Sequence, residues 1–292
     1  MAIDEALLAT LSPDESRSVR RLVEKGIKLP PRPHAVEELR HLLTHGVTDL
    51  RVIARSISQD PGMVAALFRV VRSAAYRRMH PFESVEQILQ AIGTRQACNI
   101  VQAVALAAAI PSKHNARAFE AFWARSGAVG QIAMLVAEDR VSVCNIFPDQ
   151  AYLAGIFHGC GVPVLMQRFP TYCKAMHADE QGAWLDLAEE DKRFNADHCV
   201  VGYLVGKYWK LPDFICDAIR FQRDMDSLGN HAARTMIAIL QLSIQLYYQN
   251  LSVDNPEWAR VRTSVAEELG LHQDALPEFM DEILERYQGE AR

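Results

Sequence analysis

Apolar residues recur at three- and four-residue spacing through most of this chain, and no segment alternates β-branched with polar residues convincingly. A chain patterned this way can bury its apolar stripes only by laying helices on helices, so the expected fold class is all-α. Punctuation agrees with the period. Ser12-Pro13-Asp14-Glu15 combines a capping serine, a proline at the first helical position and a reciprocal glutamate, which predicts a helix through SRSVRRLVEKG up to Gly26. Leu29-Pro30-Pro31-Arg32-Pro33 reads as a rigid extended lead-in to HAVEELRHLLTHG. Thr48 is expected to open DLRVIARSISQ, and Asp60-Pro61 to open GMVAALFRVVRSAAY. Ser84 with Gln87 forms a capping box for VEQILQAIG, Gly93 ends that helix, and Thr94 starts RQACNIVQAVALAAAI. After Pro111 the segments lengthen and turn apolar on more than one face, as in EAFWARSGAVGQIAMLVAE, AYLAGIFHGCGVPVLMQRFP and ARTMIAILQLSIQLYYQ. Helices of that kind belong inside a bundle. No internal repeat of fixed period is visible.

Composition narrows the function. Of 292 residues, 49% are apolar and 23% charged, enough to bury a large core in one large domain or two closely packed subdomains. With 31 Lys and Arg against 36 Asp and Glu, the formal charge is -5. No whole-surface field draws in a phosphate backbone, so nucleic acid is a disfavoured partner. Cys98, Cys144, Cys160, Cys173, Cys199 and Cys216 include no C-x-x-C pair and read as buried reduced thiols, which fits a cytoplasmic protein. The N-terminus carries acids where a secretion signal has cations, and the longest apolar stretch, Ile100 to Ile110, falls short of the roughly 20 residues that span a bilayer. No membrane insertion is expected.

Several motif classes are missing. Gly202-Tyr-Leu-Val-Gly206-Lys207 has three residues between its glycines and Tyr208 where a phosphate loop needs Ser or Thr, so close helix packing explains it better. No G-x-S-x-G elbow and no H-E-x-x-H is present. Arg69, Arg72, Arg77, Arg78 and His80 form a basic run beside a single aromatic, Tyr76, which reads as a solvated helix end. Trp123, Trp184, Trp209 and Trp258 stand at helical spacing from aliphatics and read as core or interface anchors.

LPPRPHAVEELRHLL, SISQDPGMVAALFRVVRSAAY, SVEQILQAIGTRQACNIV, FWARSGAVG, AYLAGIFHGCGVPVL and NADHCVVGYLVGKYWKLPDFICDAIRFQRD occur in that order. Together they closely resemble the HDOD family, bacterial signalling domains related to the HD phosphohydrolases, over about residues 25 to 250. The resemblance implies a two-lobed helical domain. A smaller lobe would cover 25–112 and an HD-like lobe 113–250, with an N-terminal helical extension at 1–24 and a C-terminal helical appendage at 251–292.

The HD enzymes hold metal with a His, a His-Asp pair and a later Asp. By that resemblance Arg125 stands where the first His would fall, and Gly159 replaces the Asp after His158. Gln222 and Arg223 occupy a stretch where histidines are common, and Gln241 lies near the place of the terminal Asp. A guanidinium is not a metal ligand, and glycine has no side chain to offer. No metal, cofactor or catalytic residue is therefore expected. One alternative zinc set, His158 and Cys160 with His198 and Cys199, requires neighbours on a helix to point the same way. Arg125, His158, His198, Gln222 and Arg223 are the candidate remnant pocket, suited to an anion; otherwise Arg125 and Arg223 pair with acids such as Asp197 and Asp224. The implied function is regulatory, binding a signalling protein or small ligand without turnover. A divergent metal-dependent HD-type phosphohydrolase and an oligomeric scaffold using the helices after Asn255 are the alternatives. Neither partner nor oligomeric state is specified by any motif.

Overall fold

The computed structural model describes residues 26–73, 76, 81–110, 115–178, 180, 182, 185–225, 228 and 231–290, with isolated positions before 26. Among them every regular element is a helix. The first group comprises α1 (His34–Thr44), α2 (Leu50–Ser58), α3 (Pro61–Val71), α4 (Val85–Ile92) and α5 (Thr94–Ala109). Their starts follow local chemistry. Asp60 Oδ1 accepts the amides of Gly62 at 2.8 Å and Met63 at 3.1 Å, and Pro61 sits at the first position of α3. Ser84 Oγ accepts the Gln87 amide, while Gln87 Oε1 reaches back to the Glu83 amide. Gly93, at φ +85°, separates α4 from α5 with a backbone conformation that L side chains rarely adopt. Two expectations shift: Asp49, not Thr48, caps α2 by accepting the Arg51 amide, and α3 stops at Val71 instead of running to Tyr76. Most of the predicted helix before Gly26, residues 77–80 of the basic run, and Trp184 lie outside the described residues.

The second group is built on α6 (Ala116–Cys144), 29 residues long, against which α7 (Pro148–Phe157) makes its most extensive contact. Then follow α8 (Gly161–Arg168), α9 (Tyr172–Met176), α10 (Leu187–Phe194), α11 (His198–Tyr208), α12 (Asp213–Arg220) and α13 (His231–Asn250). AYLAGIFHGCGVPVLMQRFP, read as one segment, is two helices interrupted by the turn His158-Gly159-Cys160. The pattern hid this break because α7 and α8 are buried nearly all round, which leaves no polar stripe to mark an end.

The two groups meet at α5, which packs on α1 and α3 on one side and on α7 on the other. Trp209, fully buried just after α11, ties the join: its indole Nε1 donates to Pro30 O at 3.0 Å and its ring meets Phe157 edge-on at 5.6 Å. The main apolar core runs from Ile27 to Leu284, and Val129, Ile244 and Tyr248 form a small second cluster. Helices α14 (Trp258–Glu268) and α15 (Leu276–Glu290) belong to it through Val265, Leu269 and Ile283. Arg140 on α6 donates to Leu269 O at 2.8 Å and Gly270 O at 3.1 Å, and Arg286 pairs with Glu138, so the final helices are clamped onto the central one.

Two crossings are closer than side chains permit. A Cβ on Gly155 of α7 would lie 2.5 Å from the Gly130 Cα of α6. A Cβ on Gly161 would fall inside the His198 carbonyl and 2.9 Å from the Gly202 amide nitrogen, so the start of α8 rests directly on the α11 backbone. Gly202 and Gly206 face Ile219 and Cys216 of α12, which makes them packing glycines.

Candidate functional site

All five candidate residues, Arg125, His158, His198, Gln222 and Arg223, line one cavity of about 40 Å³, together with Phe122, Gly159, Gln241 and others. Arg125 comes from the middle of α6, His158 from the turn after α7, His198 from the first position of α11, and Gln222 and Arg223 from the turn after α12. Four elements distant in sequence therefore converge. The Gly161 crossing is what brings the His158 turn onto the start of α11.

His158 is buried at 5% exposure. Its Nδ1 donates to Gly155 O at 2.5 Å. Burial lowers its pKa to about 3, against the Gly155 hydrogen bond and with help from the charges of Arg125, His198 and Arg223. The ring is therefore neutral, with Nε2 as its acceptor.

His198 is the opposite case. Its Nδ1 lies 2.7 Å from Glu190 Oε2, which also accepts the His198 amide at 2.9 Å, and the Tyr172 hydroxyl donates to Glu190 Oε1. Burial opposes a charge on His198, yet Cys199 and Glu190 outweigh it and raise the imidazole to about 10. Burial likewise pushes Glu190 up, but the His198 charge and the hydrogen bonds of His198 and Tyr172 hold the carboxyl below its ordinary value. The pair is thus an imidazolium and a carboxylate, both inside the protein.

Gln222 is 3% exposed, and its Nε2 donates to His158 O at 2.8 Å and lies 3.2 Å from the Cys199 sulfur. Gln241 Nε2 donates to Gln222 O, while its Oε1 is buried with no hydrogen-bond partner. The Arg125 guanidinium stands over the Tyr248 ring at 5.4 Å and the Tyr247 ring at 5.8 Å. Arg223 donates to Leu185 O at 2.6 Å and faces Glu257 at 3.7 Å. Of the acids in the alternative reading, Asp197 caps α11 by accepting the Val200 amide at 2.8 Å, and Arg223 meets Glu257.

The donor set does not fit the metal centre of an HD enzyme. A Cβ on Gly159 would lie 3.2 Å from the Phe122 ring, so the aromatic side chain takes the space into which a carboxylate at 159 would grow. Among the described residues no three His, Cys, Asp or Glu side chains converge on one point. The zinc quartet does not assemble: Cys160 is directed to Gly202 O at 3.8 Å, and Cys199 accepts from Gln222. Two guanidinium groups and one imidazolium surround the cavity, with the Glu190 carboxylate behind His198, so its field favours an anion over a cation. Its volume holds water-sized groups only. A larger groove of about 330 Å³ adjoins it and shares Phe122, Arg125, Val162 and Leu185.

Sequence reading missed Glu190, Tyr172 and Phe122. Glu190 carried a readable signal: it lies at helical spacing from Leu187 and Phe194, an acid on the apolar face of α10. Phe122 had none, since its role depends on which ring falls over residue 159.

The model of the HDOD domain family matches residues 29–225. The chain belongs to the HDOD domain family, which is related to the HD phosphohydrolases. An HDOD domain protein of unknown function from Geobacter sulfurreducens shares the fold at 20% identity and TM-score 0.68, over 94% of this chain and 96% of that one. A candidate phosphohydrolase from Shewanella amazonensis SB2B is similar at 20% identity and TM-score 0.66, over 91% and 97%. So is a candidate signal transduction protein from Marinobacter aquaeolei VT8, at 20% identity and TM-score 0.62, over 100% and 68%. Among curated proteins, an uncharacterized protein of Treponema pallidum (strain Nichols) is 20% identical over 201 residues, which are 68% of this chain. The chain spans 38% of the length of that curated relative. At these identities the solved structures establish a common fold and nothing about chemistry.

Proposed function

We propose that this protein is a non-catalytic regulatory module of the HDOD type, which binds a signalling protein or small ligand without turning it over. The observation that carries the reading is the content of the converted cavity: Phe122 stands over Gly159 where the HD carboxylate would be, and Arg125 lines the same space. A metal-dependent hydrolase needs carboxylates and neutral imidazoles around a cation that activates water. Here cationic side chains predominate, His198 is committed to Glu190, and a neutral His158 stands alone. In this reading Arg125, His158, His198, Gln222 and Arg223 form a remnant pocket that takes a small anionic group when the Phe122 ring moves aside. Six free cysteines support a reducing, cytoplasmic site of action. Among the described residues no helix is long and apolar enough to cross a membrane.

The test measures metal per chain in protein purified without chelator, and hydrolysis of a phosphodiester chromogen with manganese, iron, magnesium and zinc in turn. Near-zero metal and no turnover are expected. One or two metals per chain, or turnover abolished by His158→Ala, would sink the reading in favour of a divergent phosphohydrolase.

A further inference from the structure

A second pocket, sharing no lining residue with the converted cavity, lies where the two helix groups meet. It is a groove of about 340 Å³ between α1, the first half of α5 and the α11–α12 turn. That volume lies in the range of small-molecule sites, which begin at roughly 300 Å³. Leu39, Leu43, Val101, Leu211 and Pro212 give it an apolar wall, and Arg40, Arg95 and Lys210 bring three cations to it.

Asp213, the acid in the lining, is held by Lys207 at 2.8 Å, and Glu37, which acts on Arg40 through space, is held by Arg32 at 3.2 Å. Among the described residues Arg40, Arg95 and Lys210 have no carboxylate within ion-pair distance. Arg40 is half-buried, and burial together with the neighbouring Arg32 depresses its guanidinium. Arg95 and Lys210 are exposed at the groove, where they can reach a ligand from solvent.

The backbone is also constrained. Lys210 sits at φ +56°, a left-handed conformation at a position without glycine. This is the left-handed residue that closes α11, with the Leu211 amide donating to Gly206 O at 3.0 Å, and the preceding Trp209 carbonyl accepts from Gln102 Nε2 at 3.1 Å and Arg40 Nη1 at 3.4 Å.

We propose that this groove binds a phosphorylated small molecule of mononucleotide size, its phosphate held by Arg40, Arg95 and Lys210 and its body laid on Leu39, Leu43 and Leu211. Arginine supplies paired donors matched to phosphate oxygens, and lysine adds a point charge. The ligand joins α1 and α5 to the α11–α12 turn, so binding stiffens the junction between the helix groups. The site is independent of the reading proposed for the converted cavity.

Isothermal titration of the full chain with the four ribonucleoside 5′-monophosphates, and with their nucleosides as controls, tests the site. Saturable binding of at least one monophosphate with Kd below about 1 mM is expected, with no binding of its nucleoside. Arg95→Ala, and Lys210→Gly, which suits the left-handed backbone, each weaken that binding about tenfold, while Arg125→Ala leaves it unchanged. Absence of saturable binding, equal binding of the nucleoside, or loss on Arg125→Ala with retention in the two groove variants overturns the proposal. Consumption of the bound nucleotide would instead overturn the non-catalytic reading and leave the groove site standing.

Discussion

Two buried histidines in one cavity, one neutral and one cationic, fix how stability depends on pH. The folded value of about 3 for His158 lies below its ordinary 6.5. An unfolded chain therefore takes up a proton that the native state refuses. The stability this adds is complete above pH 6.5 and is lost as pH falls toward 3, at about 1.4 kcal/mol per unit of pH in the limit. For His198 the folded value of about 10 lies above 6.5, so its contribution is complete below 6.5 and is lost as pH rises toward 10. Chemical denaturation across pH should give a maximum near 6.5, with His158→Gln flattening the acid limb and the pair Glu190→Gln with His198→Gln flattening the alkaline one. A profile unchanged by either variant would refute these charge assignments. A further outcome concerns Gly159. Because Phe122 stands 3.2 Å from where its Cβ would be, Gly159→Asp should lower the thermal midpoint and still leave the protein without bound zinc or manganese, measured by elemental analysis. Stoichiometric metal in that variant would mean that the space is open after all. The departures at Gly159 and Arg125 from the ligand pattern that the HDOD resemblance implies were readable; the neutrality of one imidazole and the charge of the other were not, since both follow from burial and from side-chain contacts that folding sets.

Among the elements, the turn between α7 and α8 matters most. It brings His158 to the cavity, and it exists because Gly161 lets the start of α8 lie on the backbone of α11. Gly161→Ala should destabilise the protein by about 3 kcal/mol or more, since the atoms in the way are main chain and cannot swing aside. By contrast, Asp60→Ala removes only a cap from α3 and should cost about 1 kcal/mol. Urea denaturation of both variants compares them directly, and equal losses would contradict the crossing argument. Asp60, Ser84, Gly93 and Pro61 announced their roles in the sequence because caps and breakers act through local backbone chemistry. The interruption at 158–160 and the short helices α9 and α10 did not, because their ends are decided by what surrounds them.

For the whole molecule, the final helices are part of the fold and cover α6 and α13. Val265, Leu269 and Ile283 sit in the common core, and Arg140, Arg234 and Arg286 fasten them there by bonds to Leu269 O, Glu268 and Glu138. Deleting 251–292 should therefore expose apolar surface and lower the thermal midpoint sharply or drive the chain to aggregate, as seen by thermal melting and by mass in solution. A truncated chain that melts like the full one at unchanged mass would show that these contacts contribute little. The junction at α5 and Trp209 has the same character: it joins helix groups that the sequence presents separately, through Pro30, 179 residues away from the indole it binds.

The sequence by itself determined the helical class, most helix starts and the ordered motifs of the HDOD family, and it holds the Arg125 and Gly159 that the resemblance sets against the HD ligand pattern. Each of these resides in periodicity, capping chemistry or residue identity, which act over a few positions. Only the tertiary structure decided that Arg125, His158, His198, Gln222 and Arg223 share one cavity, that His198 bonds to Glu190, and that Arg40, Arg95 and Lys210 line a common groove. Those facts depend on glycine crossings and on burial, which set distances and dielectric between residues far apart along the chain.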